Sequence, residues 1–95
     1  MADQDIEVRR KRLRYRSWHR GMKEADLVLG GFADQHLAGM SEPELDQFEQ
    51  ILEQSDPDLM AWFTRRQTIP ASLDTPLMKL VMNFKPYLHG FENNQ

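Results

Sequence analysis

The residues best suited to chemistry are five in a row, Arg20-Gly21-Met22-Lys23-Glu24. A guanidinium and a carboxylate stand four positions apart, and the glycine between them leaves backbone uncovered. Such groups make directional hydrogen bonds, so the stretch can serve as a recognition surface for another protein. It can equally be a plain helix junction, in which Gly21 ends one helix and the charges favour the helix dipoles or pair with each other. On spacing alone, the helix junction is the favoured interpretation.

No common catalytic or metal-binding pattern appears elsewhere. His19, His36 and His89 lack the spacing of metal ligands, and the 95-residue chain has no cysteine. Gly30-Gly31 is not followed by the lysine of a phosphate-binding loop. The carboxylates between residues 42 and 58 fall mostly at capping and solvent-facing positions. We therefore expect no catalytic residue and no metal, and a protein that is not an enzyme.

Charge is divided sharply along the chain, although the net charge is only −3. Residues 1–23 carry eight basic and three acidic side chains, whereas residues 24–64 carry ten acidic and no basic ones. The two parts can attract each other within the fold or steer a partner, and both alternatives have equal weight. The basic segment could bind nucleic acid, but the acidic stretch would repel phosphate. Its apolar face is too thin for a membrane surface, so we expect neither partner.

Helical periodicity predicts the elements that must position these residues. The first helix starts from a cap at Asp3 or Asp5 and ends near His19, with Tyr15, Trp18 and Met22 on one face. The second runs from about Met22 to Leu37. Gly30-Gly31 within it implies the close approach of a neighbouring helix, or a bend. Its predicted buried stripe consists of Ala25, Val28, Leu29, Phe32 and Ala33.

Three shorter helices are predicted in the second half. The third begins at the capping box Ser41–Glu44. The fourth is capped by Asp56, with Arg65-Arg66 in its last turn, and the fifth is capped by Asp74 or Thr75. Their predicted inner faces are Leu45, Phe48, Ile51 and Leu52, then Leu59, Trp62 and Phe63, then Leu77, Leu80, Val81 and Phe84.

Short loops between these helices predict an all-α fold, a small five-helix bundle. Lys85-Pro86 is expected to end the fifth helix. The chain would form one domain over residues 1–95, with a helical core of about 5–87 and flexible ends at 1–4 and 88–95.

Two motifs in this order resemble the succinate dehydrogenase assembly factor family, the flavinylation factors called SdhE in bacteria and their mitochondrial counterparts. The first is Arg20-Gly21-x-x-Glu24, followed by Asp26 and an apolar helix. The second is Asp56-Pro57-Asp58-Leu59-x-x-Trp62, which we assign to the scaffold. The likeness covers roughly residues 9–84. It implies a chaperone that binds the flavoprotein subunit of succinate dehydrogenase, with fumarate reductase as a further candidate, and promotes covalent attachment of FAD to that subunit.

By the same resemblance, Arg20, Gly21 and Glu24 contact the flavoprotein near its flavin-linking histidine, and Asp26 is a further partner-binding residue. FAD belongs to the partner, so we expect no stably bound cofactor, and a monomer in the bacterial cytoplasm when the chain is free. Many relatives carry a basic residue before the motif arginine; His19 stands there in this chain, and it could weaken one partner contact or make that contact pH-dependent. The alternative function is an antitoxin or DNA-associated regulator that uses the basic first helix.

Overall fold

Five α-helices and two single-turn 3-10 helices make up the regular structure of this computed structural model, which describes residues 2–85, with side chains from Asp5 onward. The α-helices are α1 (Ala2–Trp18), α2 (Lys23–His36), α3 (Glu42–Leu52), α4 (Asp56–Phe63) and α5 (Pro76–Met82). The 3-10 turns are Leu37–Gly39 and Ala71–Leu73. Residues 2–85 contain no strand, so the prediction of an all-α five-helix bundle is confirmed. The predicted flexible end at 88–95 lies outside the described residues.

The hydrophobic core lies between the apolar stripes of α2, α3 and α5. Phe32 of α2 is one of its centres, because its ring contacts Phe48 of α3 at a centroid distance of 5.9 Å and meets the Phe84 ring edge-on at 5.8 Å. Leu13 adds the main apolar contribution from α1. The predicted inner faces of α2 and α3 are buried at every position, as helical periodicity requires.

Two helices begin at different residues from those predicted. α1 begins at Ala2, so the helical backbone already includes both Asp3 and Asp5 and neither lies at its cap. α4 is capped by Ser55, whose hydroxyl accepts a hydrogen bond from the backbone N–H of Asp58 at 3.2 Å. The predicted cap, Asp56, is instead the first residue of α4. Its carboxylate is therefore available for another contact.

Arg65-Arg66 lies beyond α4, and the prediction that it forms the last turn is wrong. The helix ends at Phe63, and Arg65 takes a left-handed φ of +65°. The backbone N–H of Arg66 then bonds to the carbonyl of Ala61 at 2.8 Å. This is the closing bond of a Schellman motif, in which the left-handed position is usually glycine. An arginine there gives no sequence signal that the helix ends.

α5 keeps its predicted start but not its predicted end. Thr75 caps it by accepting a hydrogen bond from the N–H of Met78 at 3.0 Å. The helix stops at Met82, before the expected stop at Lys85-Pro86. Leu80 was predicted to face inward but is 58 % exposed, and Met78 is fully buried in its place. In this two-turn helix, the buried face consists of two adjacent pairs one turn apart, and Leu80 lies outside it. The buried residues are Leu77, Met78, Val81 and Met82.

The division of charge appears within the fold as ion pairs between α1 and the acidic helices. Arg9 donates to Glu49 at 2.9 Å and to Asp46, both on α3. Hydrogen bonds to Asp46 and then Glu49 raise the pKa of Arg9 above its ordinary value, because both carboxylates stabilise the charged guanidinium. Arg14 pairs with Asp34 of α2 at 3.0 Å. Attraction between the two parts, one of the two alternatives, is therefore observed.

Candidate functional site

The junction between α1 and α2 turns at Gly21, which has a φ of +103° and is exposed. L-residues rarely adopt this backbone conformation, so the turn requires glycine. A Cβ built on Gly21 would meet no atom within 4 Å. The prediction that Gly21 directly follows the C-cap of the first helix is wrong, because α1 already ends at Trp18. Gly21 lies three residues beyond the helix. The junction therefore presents bare backbone with open space in front of it.

Arg20, beside this glycine, points into the protein. Its side chain is only 10 % exposed, and Nε donates to Oδ1 of Asp56 at 2.7 Å. The two terminal nitrogens donate to the backbone carbonyls of Leu52 and Gln54, at the end of α3 and in the turn that follows. Arg20 therefore ties the α1–α2 junction to the α3–α4 loop. The ion pair between Arg20 and Asp56 joins the first motif to the second, which are far apart in the sequence.

Asp26 fastens the other side of the junction. Its Oδ1 accepts a hydrogen bond from the backbone N–H of Arg20 at 2.7 Å, and its own N–H donates to the carbonyl of Met22 at 3.0 Å. Glu24, by contrast, is exposed in the first turn of α2. Within residues 2–85 its carboxylate makes no hydrogen bond or ion pair, and it does not pair with Arg20. Of the four predicted residues, Gly21 and Glu24 face solvent, whereas Arg20 and Asp26 hold the backbone around them.

Trp18 fixes the position of α1 next to this junction. Its indole lies against Gly30 of α2 so closely that a Cβ at Gly30 would fall 2.2 Å from Cδ2 of the ring. The indole Nε1 donates to Asp34 at 3.2 Å. Close approach of a neighbouring helix, one of the two explanations offered for Gly30-Gly31, is thus observed at Gly30. Small residues at such crossings let a large ring approach the backbone.

Tyr15 and His19 form an exposed aromatic pair that the sequence did not reveal. Their rings stack with centroids 4.0 Å apart and an interplanar angle of 24°. Periodicity had placed Tyr15 with Trp18 on one face, but the buried residues of this part of α1 are Leu13 and Ser17. Tyr15 is two residues from each of them in sequence, which is about 200° around the helix, so it points to the opposite side. Its side chain is 65 % exposed. The sequence signal for this arrangement is the spacing of Leu13 and Ser17, an apolar and a small residue four positions apart, which places Tyr15 on the opposite face.

The chemistry available at the junction is hydrogen bonding and ring contact with another molecule. Among the residues that the structure describes, no three His, Cys, Asp or Glu side chains are close enough together to hold a metal ion. No helix in the same part of the chain is both long and apolar enough to cross a bilayer. The exposed groups include backbone at Gly21, the Lys23 ammonium group, the Glu24 carboxylate and the Tyr15–His19 pair.

Comparison with known proteins places these motifs in a family. A family model described as "Flavinator of succinate dehydrogenase" matches residues 11–85, which include both motifs. Succinate dehydrogenase assembly factor 2, mitochondrial, of Dictyostelium discoideum is 38 % identical over 79 residues, covering 83 % of this chain and 56 % of its own. The FAD assembly factor SdhE of Acetobacter pasteurianus is 37 % identical over 79 residues, covering 83 % of this chain and 72 % of its own.

The mitochondrial relatives are longer proteins. A third, succinate dehydrogenase assembly factor 2 of Debaryomyces hansenii, is 39 % identical over 66 residues, which are 70 % of this chain and 46 % of its own. The chain thus spans about half the length of the mitochondrial relatives it matches. The family match covers α2 to α5 and the half of α1 that carries Tyr15 and Trp18. This chain belongs to the family described as the flavinator of succinate dehydrogenase.

Proposed function

We propose that this chain is a non-enzymatic assembly factor that binds the flavoprotein subunit of succinate dehydrogenase and promotes its covalent attachment of FAD. The family match over residues 11–85 carries this proposal. It is supported by relatives whose names are succinate dehydrogenase assembly factor and FAD assembly factor. The chain contributes a binding surface and the flavoprotein contributes the reacting groups and the FAD.

The α1–α2 junction is the proposed contact with the flavoprotein. Bare backbone at Gly21 lets a partner approach closely, and the unpaired Glu24 carboxylate offers a strong hydrogen-bond acceptor beside it. The resemblance assigns Arg20 and Asp26 to the same contact. Through their internal hydrogen bonds, both residues also hold the backbone on either side of Gly21 in place. A surface fixed in this way loses little conformational entropy when it binds.

A binding protein of this kind acts through the conformation of its partner. It stabilises the arrangement of the flavoprotein that it binds most tightly, and it shifts the population by its difference in affinity between the two arrangements. We propose that the favoured arrangement is the one in which the subunit links FAD to its own histidine. The chain itself then needs no cofactor site. Tight binding of FAD by the purified chain alone, measured by titration, would contradict this division of roles.

Co-expression tests the proposal. The flavoprotein subunit is produced with and without this chain, and covalent flavin is read as fluorescence of the subunit band after denaturing electrophoresis. We expect strong fluorescence only when the chain is present. Equal fluorescence in both samples would contradict the proposal. Repeating the pair with the flavoprotein subunit of fumarate reductase tests that second client, and gel filtration of the free chain tests the proposed monomer.

A further inference from the structure

One exposed face of α1 has no role in the contact proposed so far. The Tyr15 side chain is 65 % exposed, and His19 stacks on it at 4.0 Å. These two rings line a shallow groove together with Lys11, Arg14 and Trp18. We call these five residues the Tyr15–His19 face. A large aromatic ring held in one orientation by a stacked neighbour loses little freedom on binding, and aromatic residues are enriched among binding hot spots.

This face keeps a positive charge after internal pairing. Lys11 is exposed and makes no ion pair or hydrogen bond within residues 2–85. The carboxylate of Asp34, which contacts two residues of this face, is bonded to Arg14 at 3.0 Å and to the Trp18 indole at 3.2 Å. Glu7, one turn before Lys11, pairs with Arg10 at 2.8 Å. The neighbouring acidic groups are therefore engaged elsewhere, and Lys11 remains to attract an anionic group.

We infer that the Tyr15–His19 face is a second contact for the flavoprotein subunit and binds a segment of that partner that carries Asp or Glu. This inference rests on the proposed function. His19 is only two residues from Gly21, so one partner can cover the junction and this face together. Lys11 supplies the unpaired charge that a carboxylate needs, and the Tyr15 ring supplies the apolar contact beside it.

The charges favour an acidic protein segment over nucleic acid. Three arginines of α1 are bonded inside the fold: Arg9 and Arg16 to carboxylates of α3, and Arg10 to Glu7 and the carbonyl of Met40. They are not available to a run of phosphates, whose binding normally requires several cations in a row. The acidic α3 lies directly beside α1. An extended phosphate backbone would meet those carboxylates, whereas a short acidic segment need not.

The inference is tested by calorimetric titration of the purified flavoprotein subunit with variants of the chain. Tyr15→Ala removes the ring, and Lys11→Glu reverses the unpaired charge. Val8→Ala is the matched control for the first, because Val8 is an apolar residue of α1 that is 55 % exposed and outside the groove. Arg12→Glu is the matched control for the second, because Arg12 is exposed on the same helix and does not line the groove.

We expect Tyr15→Ala and Lys11→Glu each to raise the Kd about tenfold, whereas each control stays within about twofold of the wild type. The Kd of Lys11→Glu should also rise less steeply with salt than that of the wild type, because its attractive charge is gone. All four side chains are exposed, so thermal unfolding followed by circular dichroism should show the same midpoint for every variant.

The outcomes separate this inference from the proposed function. If the wild type binds and Gly21→Arg does not, but Tyr15→Ala and Lys11→Glu bind like the wild type, the inference alone is overturned. If the wild type does not bind the subunit at all, both are overturned. If Arg12→Glu weakens binding as much as Lys11→Glu, binding depends on the overall charge of α1 and not on the groove, and the inference is overturned. If the wild type binds a short DNA duplex and Lys11→Glu does not, nucleic acid occupies this face and the inference is wrong.

Discussion

At Gly21 the backbone adopts a φ of +103°, while a Cβ there would meet no atom within 4 Å. The requirement for glycine therefore comes from the backbone conformation, and the space in front of it is left for a partner. At Gly30 the relation is reversed, because the ring of Trp18 occupies the place of a side chain. A bulky substitution at Gly21 should therefore mainly impair binding of the partner, whereas a substitution at Gly30 should mainly lower the free energy of unfolding.

Gly21→Ala and Gly21→Arg separate the backbone from the surface. Both force a side chain into a left-handed conformation, so each should lower the free energy of unfolding by about 1–2 kcal/mol in a urea titration. Only the arginine fills the space that the partner approaches. We therefore expect Gly21→Arg to abolish flavoprotein binding with its helical circular dichroism intact, whereas Gly21→Ala still binds. Loss of the helical signal in Gly21→Arg, with binding lost only as its consequence, would contradict a surface role.

Between elements, the contact of Trp18 with Gly30 sets the crossing of α1 over α2. Gly30→Ala would place a Cβ 2.2 Å from the ring, so the ring or the helix must move. We expect the free energy of unfolding to fall by about 1–3 kcal/mol. Gly39→Ala is the matched control, since a Cβ there meets nothing within 4 Å and the φ is not positive. It should change stability by less than about 0.5 kcal/mol.

The cause of that loss can be checked with a double-mutant cycle. If crowding by the ring destabilises Gly30→Ala, Trp18→Leu should remove most of the penalty, so the two effects should be clearly less than additive. Additive effects would mean that Gly30→Ala acts by some route other than the indole.

The link from Arg20 to Asp56 joins two loops that are distant in sequence. The two side chains are 10 % and 14 % exposed, and Arg20 also bonds to the carbonyls of Leu52 and Gln54. Asp56→Ala would leave a mostly buried guanidinium without its counter-ion, so we expect a loss of about 2–4 kcal/mol in the free energy of unfolding. Urea denaturation measures this loss. A loss of less than about 1 kcal/mol, the range of exposed ion pairs, would show that the link does not stabilise the fold.

The elements themselves were largely predictable from the sequence. Amphipathic stripes and capping signals gave the five helices, because burial of one face decides their positions. The errors fall where a local signal competes with packing. Ser55 and Asp56 can both cap α4; in the structure Ser55 is the cap, and Asp56 pairs with Arg20. Arg65 ends α4 in a conformation usually reserved for glycine, so no composition rule could find it.

The candidate site was predictable in part. Spacing and resemblance selected Arg20, Gly21 and Glu24, and the left-handed conformation of Gly21 followed from its residue type. Neither could tell which charges point outward. That Arg20 turns inward depends on carbonyls more than thirty residues away, and no local pattern carries that information. The exposure of Tyr15 was missed because basic neighbours obscure the narrow apolar face of α1.

For the molecule as a whole, the charge division combines two kinds of ion pair. Those of Arg9, Arg14 and Arg16 lie near the surface, with at least one partner substantially exposed in most of them. The pair of Arg20 with Asp56 is mostly buried. Surface pairs are screened by salt and contribute little, whereas buried pairs are screened much less. The two kinds should therefore respond differently when the ionic strength changes.

We predict that salt separates Asp46→Ala from Asp56→Ala. Asp46 is 67 % exposed and shares Arg9 with Glu49, so its loss should cost less than about 1 kcal/mol at low salt. In about 1 M sodium chloride, where the Debye length is about 3 Å, that cost should nearly vanish. The cost of Asp56→Ala should persist, because water and ions do not reach its partner freely. Urea titrations of both variants and the wild type at each salt concentration measure the differences, and equal screening of the two costs would place the Arg20 pair among the ordinary surface contacts.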